Sequence, residues 1–238
     1  MVYQPPPPAT PPPMPSPPTP PRRRTGVVVA IVVGATLLAC GALVVVVGGA
    51  SVLYLRSSEE AGQASGGFDE AAGTWQEQAA AIDGIIDYWS VRPDLVEERR
   101  HSPGPVDYDV LPPVAGQHHP TWQNCQGDIY DAPIANEHAV HSLEHGAVWI
   151  TYRPDLPADQ VATLAGHVEG TEKLFMSPFP EQDAPISLQA WGYQLQVDDA
   201  DDSRIADFIR VLRVNASLEG PTATCGGGVT TTGTVPVG

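Results

Sequence analysis

A chain of 238 residues with 26 prolines, 23 glycines and a formal net charge of −16 has room for one ordinary domain plus appendages. All 28 acidic residues follow Leu55, so the larger part of the chain is polyanionic. Such a surface repels nucleic acid and anionic lipid headgroups and argues against both as partners.

Residues 1–25 open the chain with 12 prolines before Arg22. Proline fixes φ and lacks the amide donor, so this stretch is expected to be a disordered, polyproline-like tail that acts as a tether or docks a proline-recognition domain. From Gly26 to Leu55 no residue is charged, and Val, Ala, Leu and Gly dominate. About 20 apolar residues suffice to cross a bilayer, and only a helix satisfies every backbone amide there, so 26–55 is predicted to be one transmembrane helix. Arg22, Arg23 and Arg24 precede it and Glu59 and Glu60 follow it. The positive-inside rule then places the amino terminus in the cytoplasm and the rest outside a cell membrane. A cleaved signal peptide and a lipoprotein signal ending at Cys40 are alternatives that still leave the main domain outside.

A polar linker is expected over 56–68, followed by an extracytoplasmic domain over 69–228 and a disordered tail over 229–238. Trp75, Ala79, Ile82, Ile85, Ile86 and Trp89 recur at helical spacing, which predicts a helix over about 69–90 that stops before Pro93. Six prolines between Arg99 and Pro133 forbid long regular elements there. Asn136 can cap a short helix over 137–145, with Gly146 ending it. Residues 147–152 (AVWITY) read as a buried strand, and Pro157 opens a helix running to about Phe175. Residues 186–197 alternate as one or two strands, and a last helix covers 203–214. Helices and strands mix without a regular βαβ rhythm, so the expected class is α+β: a small sheet with flanking helices.

Two cysteines, Cys125 and Cys225, lie beyond the apolar segment. In an oxidising compartment a lone pair reads most simply as a disulfide, although a Cys125 thiolate acting as nucleophile or metal ligand is an alternative. Closing a loop of about 100 residues would stabilise the fold by about 4–5 kcal/mol in the chain-entropy model.

All seven histidines also lie there, six of them between His101 and His145. On a helix, His138, His141 and His145 share one side with Glu137 and Glu144. His141 and His145, four residues apart, could chelate one ion; imidazole suits zinc, copper, iron and nickel alike. The run H141-S-L-E144-H145 also fits the H-x-x-E-H pattern of inverted zinc peptidases, with Glu144 as general base. Gly146 ends the helix early for such an enzyme, and no third carboxylate ligand stands out. A hydrogen-bonded histidine–carboxylate network without metal is the plainer reading.

The stretch PPVAGQHHPTWQNCQGDIYDAP (112–133), followed by EHAVHSLEHGAVWITY (137–152), resembles the DUF3105 family. Its members look like P-P-x-x-G-x-H-x-P-x-W-x-x-C-G-x-Y and then V-H-S-L-E-H-G-A-V. His101, Tyr108, the S-P-x-P at 177–180 and the A-W-G at 190–192 match as well; Cys125-Gln126-Gly127 departs from the usual Cys-Gly. The likeness covers about residues 75–228. It implies a domain often tethered to bacterial membranes and implies no activity. The resulting expectation is a copper or zinc site formed or bordered by His101, His118, His141 and His145, supported by Glu144, Tyr108 and Tyr130, in a protein that is not necessarily an enzyme. A non-catalytic interaction module with an envelope protein partner and a zinc hydrolase are the competing readings.

Overall fold

The computed structural model describes residues 69–235. The predicted proline-rich tail, membrane span and linker, residues 1–68, lie outside the described residues. Among those described, no helix is long and apolar enough to cross a membrane.

The architecture is α+β around a mixed six-stranded sheet, larger than the small sheet expected, in the order β1-β6-β5-β3-β4-β2. The strands are β1 (Ile86–Asp87), β2 (Gln126–Ile129), β3 (Val148–Tyr152), β4 (Leu174–Pro178), β5 (Ile186–Ala190) and β6 (Tyr193–Val197). Among the described residues six α-helices accompany them: α1 (Trp75–Ala80), α2 (Tyr88–Val91), α3 (Pro93–Glu97), α4 (Asn136–Glu144), α5 (Ala158–Val168) and α6 (Arg204–Leu212). Strands β2, β3 and β4 run parallel, and β3, β5, β6 and β1 pair antiparallel. The parallel part therefore does have a βαβ rhythm, through β2-α4-β3-α5-β4.

Side chains alternate across a strand, so neighbouring residues of β3 serve different faces. Val148 and Ile150 join a core with Leu164 and Val168 of α5 and Ile205, Phe208 and Leu212 of α6. Trp149 joins a second core with Val140 and Leu143 of α4 and Phe175 of β4. With both faces covered, β4 and β5 are buried throughout, as expected of central strands.

The predicted helix over 69–90 is corrected. Thr74 caps a helix that starts at Trp75, and its capping box with Glu77 fixes that start. Gly84, at φ +78°, turns the chain out of helical conformation, and Ile86–Asp87 pairs with β6. Trp75, Ala79, Ile82, Ile85 and Trp89 keep the 3.6-residue pattern from separate elements over one core, while Ile86 packs against the other. A helix does end just before Pro93, since α2 stops at Val91, and Pro93 itself begins α3. The helix expected to reach Phe175 ends at Val168, because Gly170 and Lys173 take positive φ and lead into β4. Ala135, not Asn136, holds the N-cap position of α4. Residues 186–197 form two strands.

The carboxy-terminal segment expected as a disordered tail is attached over its described part. The Asn124 amide donates to Val229 O, the Val229 amide to Trp122 O and the Gly233 amide to Pro133 O. Cys225 is bonded to Cys125, and both are fully buried. This strap lies along the loop that carries the histidines.

Candidate metal centre

Helix α4 supplies two of the site's side chains. His141 and Glu144, three residues apart, project from one side of it. The helix stops at once: His145 is its C-cap and Gly146 takes φ +87°. A Cβ there would lie 2.7 Å from Cβ of Ser217, so Gly146 serves both the turn and a close approach. Lys173 Nζ, buried, donates to His145 O at 2.7 Å and places a cation at the helix carboxy terminus.

The proline-rich loop supplies the other two. His101 and His118 form an isolated parallel bridge, in which the Ser102 amide donates to His118 O and the His118 amide to Arg100 O. Tyr108 braces this bridge by donating its hydroxyl to Gln117 O at 2.7 Å. Burial pushes the Tyr108 hydroxyl well above the usual phenol range, so it stays a donor.

His101, His118, His141 and Glu144 converge, with one ligand atom of each within 4.8 Å of all the others. His118, His141 and Glu144 are buried, and the half-exposed His101 opens the group to solvent. The His101 and His141 rings are stacked with centroids 5.0 Å apart. Two donors bound to one ion at about 2.0–2.1 Å cannot be more than about 4.2 Å apart, so the widest pair would close by about half an ångström.

The outer nitrogens of the buried rings are already committed. His118 Nδ1 lies 2.8 Å from Gly116 O, and His141 Nδ1 lies 2.6 Å from His119 O. A carbonyl oxygen can only accept, so each Nδ1 carries the proton, and Nε2 is the atom left for the site. This backbone-oriented arrangement is the one that metal-ligating histidines use. His118 Nε2 stands 2.9 Å from Glu144 Oε2. There it meets the carboxylate either as a second N–H or as a lone pair sharing a cation with it. Neighbouring ligands on one ion, with bonds of about 2.0–2.1 Å, stand about 2.9–3.4 Å apart, so the spacing fits the second arrangement.

Electrostatics favour the metal-ready forms. Burial, and then the neighbouring His145 and His118, push His141 down to about 4 against the raising effect of its bond to His119 O. It is neutral at pH 7. Burial raises the Glu144 carboxyl, but the His118 bond and the neighbouring histidines together outweigh it, so the group lies below its ordinary value and is ionised.

The fourth expected histidine, His145, lies outside this group. Its Nδ1 is 2.7 Å from Thr224 O and its Nε2 is 3.1 Å from Glu219 Oε2. Its ring still touches that of His141, with centroids 4.6 Å apart, and packs on Trp122. Glu144 is itself among the converging ligand atoms. Both features differ from a peptidase site in which His141 and His145 share zinc and the glutamate stands off as base. Tyr130 donates to Asn124 O and anchors the loop. His119 and His138 face each other beside the cluster, and His167 lies on α5. Cys125 is in the disulfide and offers no thiolate. Sequence reasoning missed Lys173, Thr224 and Glu219; each acts through a long-range contact that leaves no local pattern. Trp191, in the A-W-G noted above, packs edge-on against His118.

The model of the family described as "Protein of unknown function (DUF3105)" matches residues 100–227. The chain belongs to the DUF3105 family. The match begins just before His101 and ends just after Cys225, so it spans the DUF3105 domain's whole histidine loop, α4 and the disulfide. Neither the curated proteins nor the solved structures contain a match to the chain.

Proposed function

We propose that this DUF3105 domain binds one transition-metal ion, copper or zinc, through His118, His141, Glu144 and the half-exposed His101, and does so outside the cell from a membrane anchor at 26–55. The convergence of the four ligand atoms carries the reading. The Nδ1–carbonyl bonds of His118 and His141 support it, because they spend the outer nitrogen and leave Nε2 for an ion. Three imidazoles and a carboxylate suit either metal. The disulfide supports an oxidising compartment, in keeping with the uncharged 30-residue stretch and the arginines before it. His145, engaged by Glu219 and Thr224, orients the end of α4 from the side.

The test is elemental analysis of the full-length chain, purified without a histidine tag and incubated with copper or zinc. One equivalent of metal is expected, lost in His118→Ala and His141→Ala and retained in His145→Gln. Absence of metal in the parent chain after both incubations would replace the site with a metal-free network that knits the loop to α4.

A further inference from the structure

Trp191, which packs against His118, also lines a cleft built from other elements. This cleft of about 300 Å³ is lined by the rings of Trp75, Trp89, Trp191 and Tyr193, together with the segment Asn215–Leu218 that follows α6. Its size is at the small end of ligand sites. Three of the chain's five tryptophans meet here, although they come from α1, α2 and the β5–β6 turn. Trp191 and Tyr193 are buried, whereas Trp75 and Trp89 are half-buried and leave part of their surface to the opening. Trp75 and Tyr193 meet edge to face at 6.0 Å, and Trp89 Nε1 crowds against Gly192, where a Cβ would approach to 2.5 Å. The rings are therefore held by the fold rather than free to collapse into the space.

The polar lining is uncharged. It consists of Gln76, Asn215 and Ser217; Asn215 Nδ2 donates to Val211 O and Ser217 Oγ to Glu144 O and Gly220 O, so these two have their oxygens left to accept, and no acidic or basic residue lines the cleft. In a chain of net charge −16 this is a neutral spot. Arg99 stacks over Trp89 at 6.0 Å but is not part of the lining. The Trp191 indole N–H is buried without an acceptor, and buried donors are rarely left so.

We infer that this cleft binds a neutral sugar ring. Aromatic faces take up the apolar C–H face of a pyranose, and amide and hydroxyl groups exchange hydrogen bonds with its hydroxyls, while the absence of charge selects against anionic and cationic ligands. A proline-rich peptide also seeks aromatic surfaces, but a polyproline helix extends about 3.1 Å per residue and needs a groove several residues long. A cleft of about 300 Å³ matches on the order of one or two sugar rings better than such a strand. The inference does not depend on any metal at the histidine cluster.

The test is a calorimetric and tryptophan-fluorescence titration of the full-length chain in phospholipid nanodiscs, which avoids sugar detergents. The probes are an N-acetylglucosamine disaccharide, a glucose disaccharide and a proline homopeptide. Saturable binding of at least one disaccharide is expected, about tenfold weaker in Trp75→Ala and close to the parent in Trp75→Phe. Cooperative thermal unfolding of each variant checks that the fold is intact. The inference is overturned if neither disaccharide binds saturably to the parent chain. It is equally overturned if Trp75→Ala binds as the parent does, or if the proline peptide binds in place of the sugars.

Discussion

The two faces of the sheet are covered in different ways. On one, α1, α5 and α6 lay aliphatic and aromatic side chains onto Val148, Ile150, Leu188 and Leu195, with regular helices satisfying their own backbones. On the other, α4 and the short α2 and α3, which contribute Tyr88 and Val96, share the cover with the proline-rich loop and the carboxy-terminal strap. Irregular backbone cannot pair with itself, so this face recruits side chains and cross-links instead. His118, His138, His141 and His145 each meet a carbonyl, Ser142 Oγ donates to Gln123 O, and the Cys125–Cys225 bond ties loop to strap. The helical face stores stability. The loop face spends polar groups on order, and the same groups assemble a site.

The sharpest way to break that contrast is to cut the cross-link. Cys125→Ser with Cys225→Ser should lower stability by about 4–5 kcal/mol, as expected for a closed loop of about 100 residues. Urea unfolding would show this, and hydrogen exchange should rise first in 100–125 and 224–233 while α5 and α6 stay protected. Uniform loss of protection over both faces would mean that they unfold as one.

Phe208→Ala should damage the other face. The fully buried ring leaves a cavity beneath α6, and about 3–5 kcal/mol should be lost in denaturant unfolding. Metal uptake by the folded fraction should not change, which separates core from site.

The third prediction concerns pH in the metal-free protein. His141 has a folded value of about 4, below the roughly 6.5 of an unfolded histidine. Between those values the unfolded chain binds more protons, so stability is full above about 6.5 and falls as pH drops towards 4. The slope contributed by this group is at most about 1.4 kcal/mol per pH unit, or about 3 kcal/mol in all. Equilibrium unfolding of the parent chain and of His141→Gln across that window should show a shallower fall in the variant. Parallel curves would show that the burial of His141 is not what sets the pH dependence.

The smallest effect is expected at the hinge between the faces. Gly146→Ala adds a Cβ at φ +87° within 2.7 Å of Ser217, and should cost about 1–2 kcal/mol. Because the end of α4 would shift, metal affinity should weaken along with thermal stability. A variant with unchanged melting temperature and affinity would remove Gly146 from any role in setting the site.

Local signals were legible wherever one element carried its own code. The strand at 148–152, the helix end at Gly146 and the two strands in 186–197 follow from β-branched runs, a glycine stop and alternation. The segment 69–90 misled because Trp75, Ala79, Ile82 and Trp89 do line one core, but from two helices and a turn. Strand β2 was hidden because Gln126, Gly127 and Asp128 have poor strand propensity and are held there by pairing with β4.

By itself the sequence determined the mixed class of the domain, its family, the loop of prolines, the pairing of two lone cysteines and the concentration of histidines around α4. These depend on composition, local periodicity and motif, all carried by residues near one another in the chain. Only the tertiary structure decided which histidines meet. Placing His118 against Glu144, and turning His145 towards Glu219, depends on a backbone bridge, a strap and a disulfide that join residues far apart in sequence. Spacing along a helix states which side chains share a face; it does not state what the rest of the chain lays across that face.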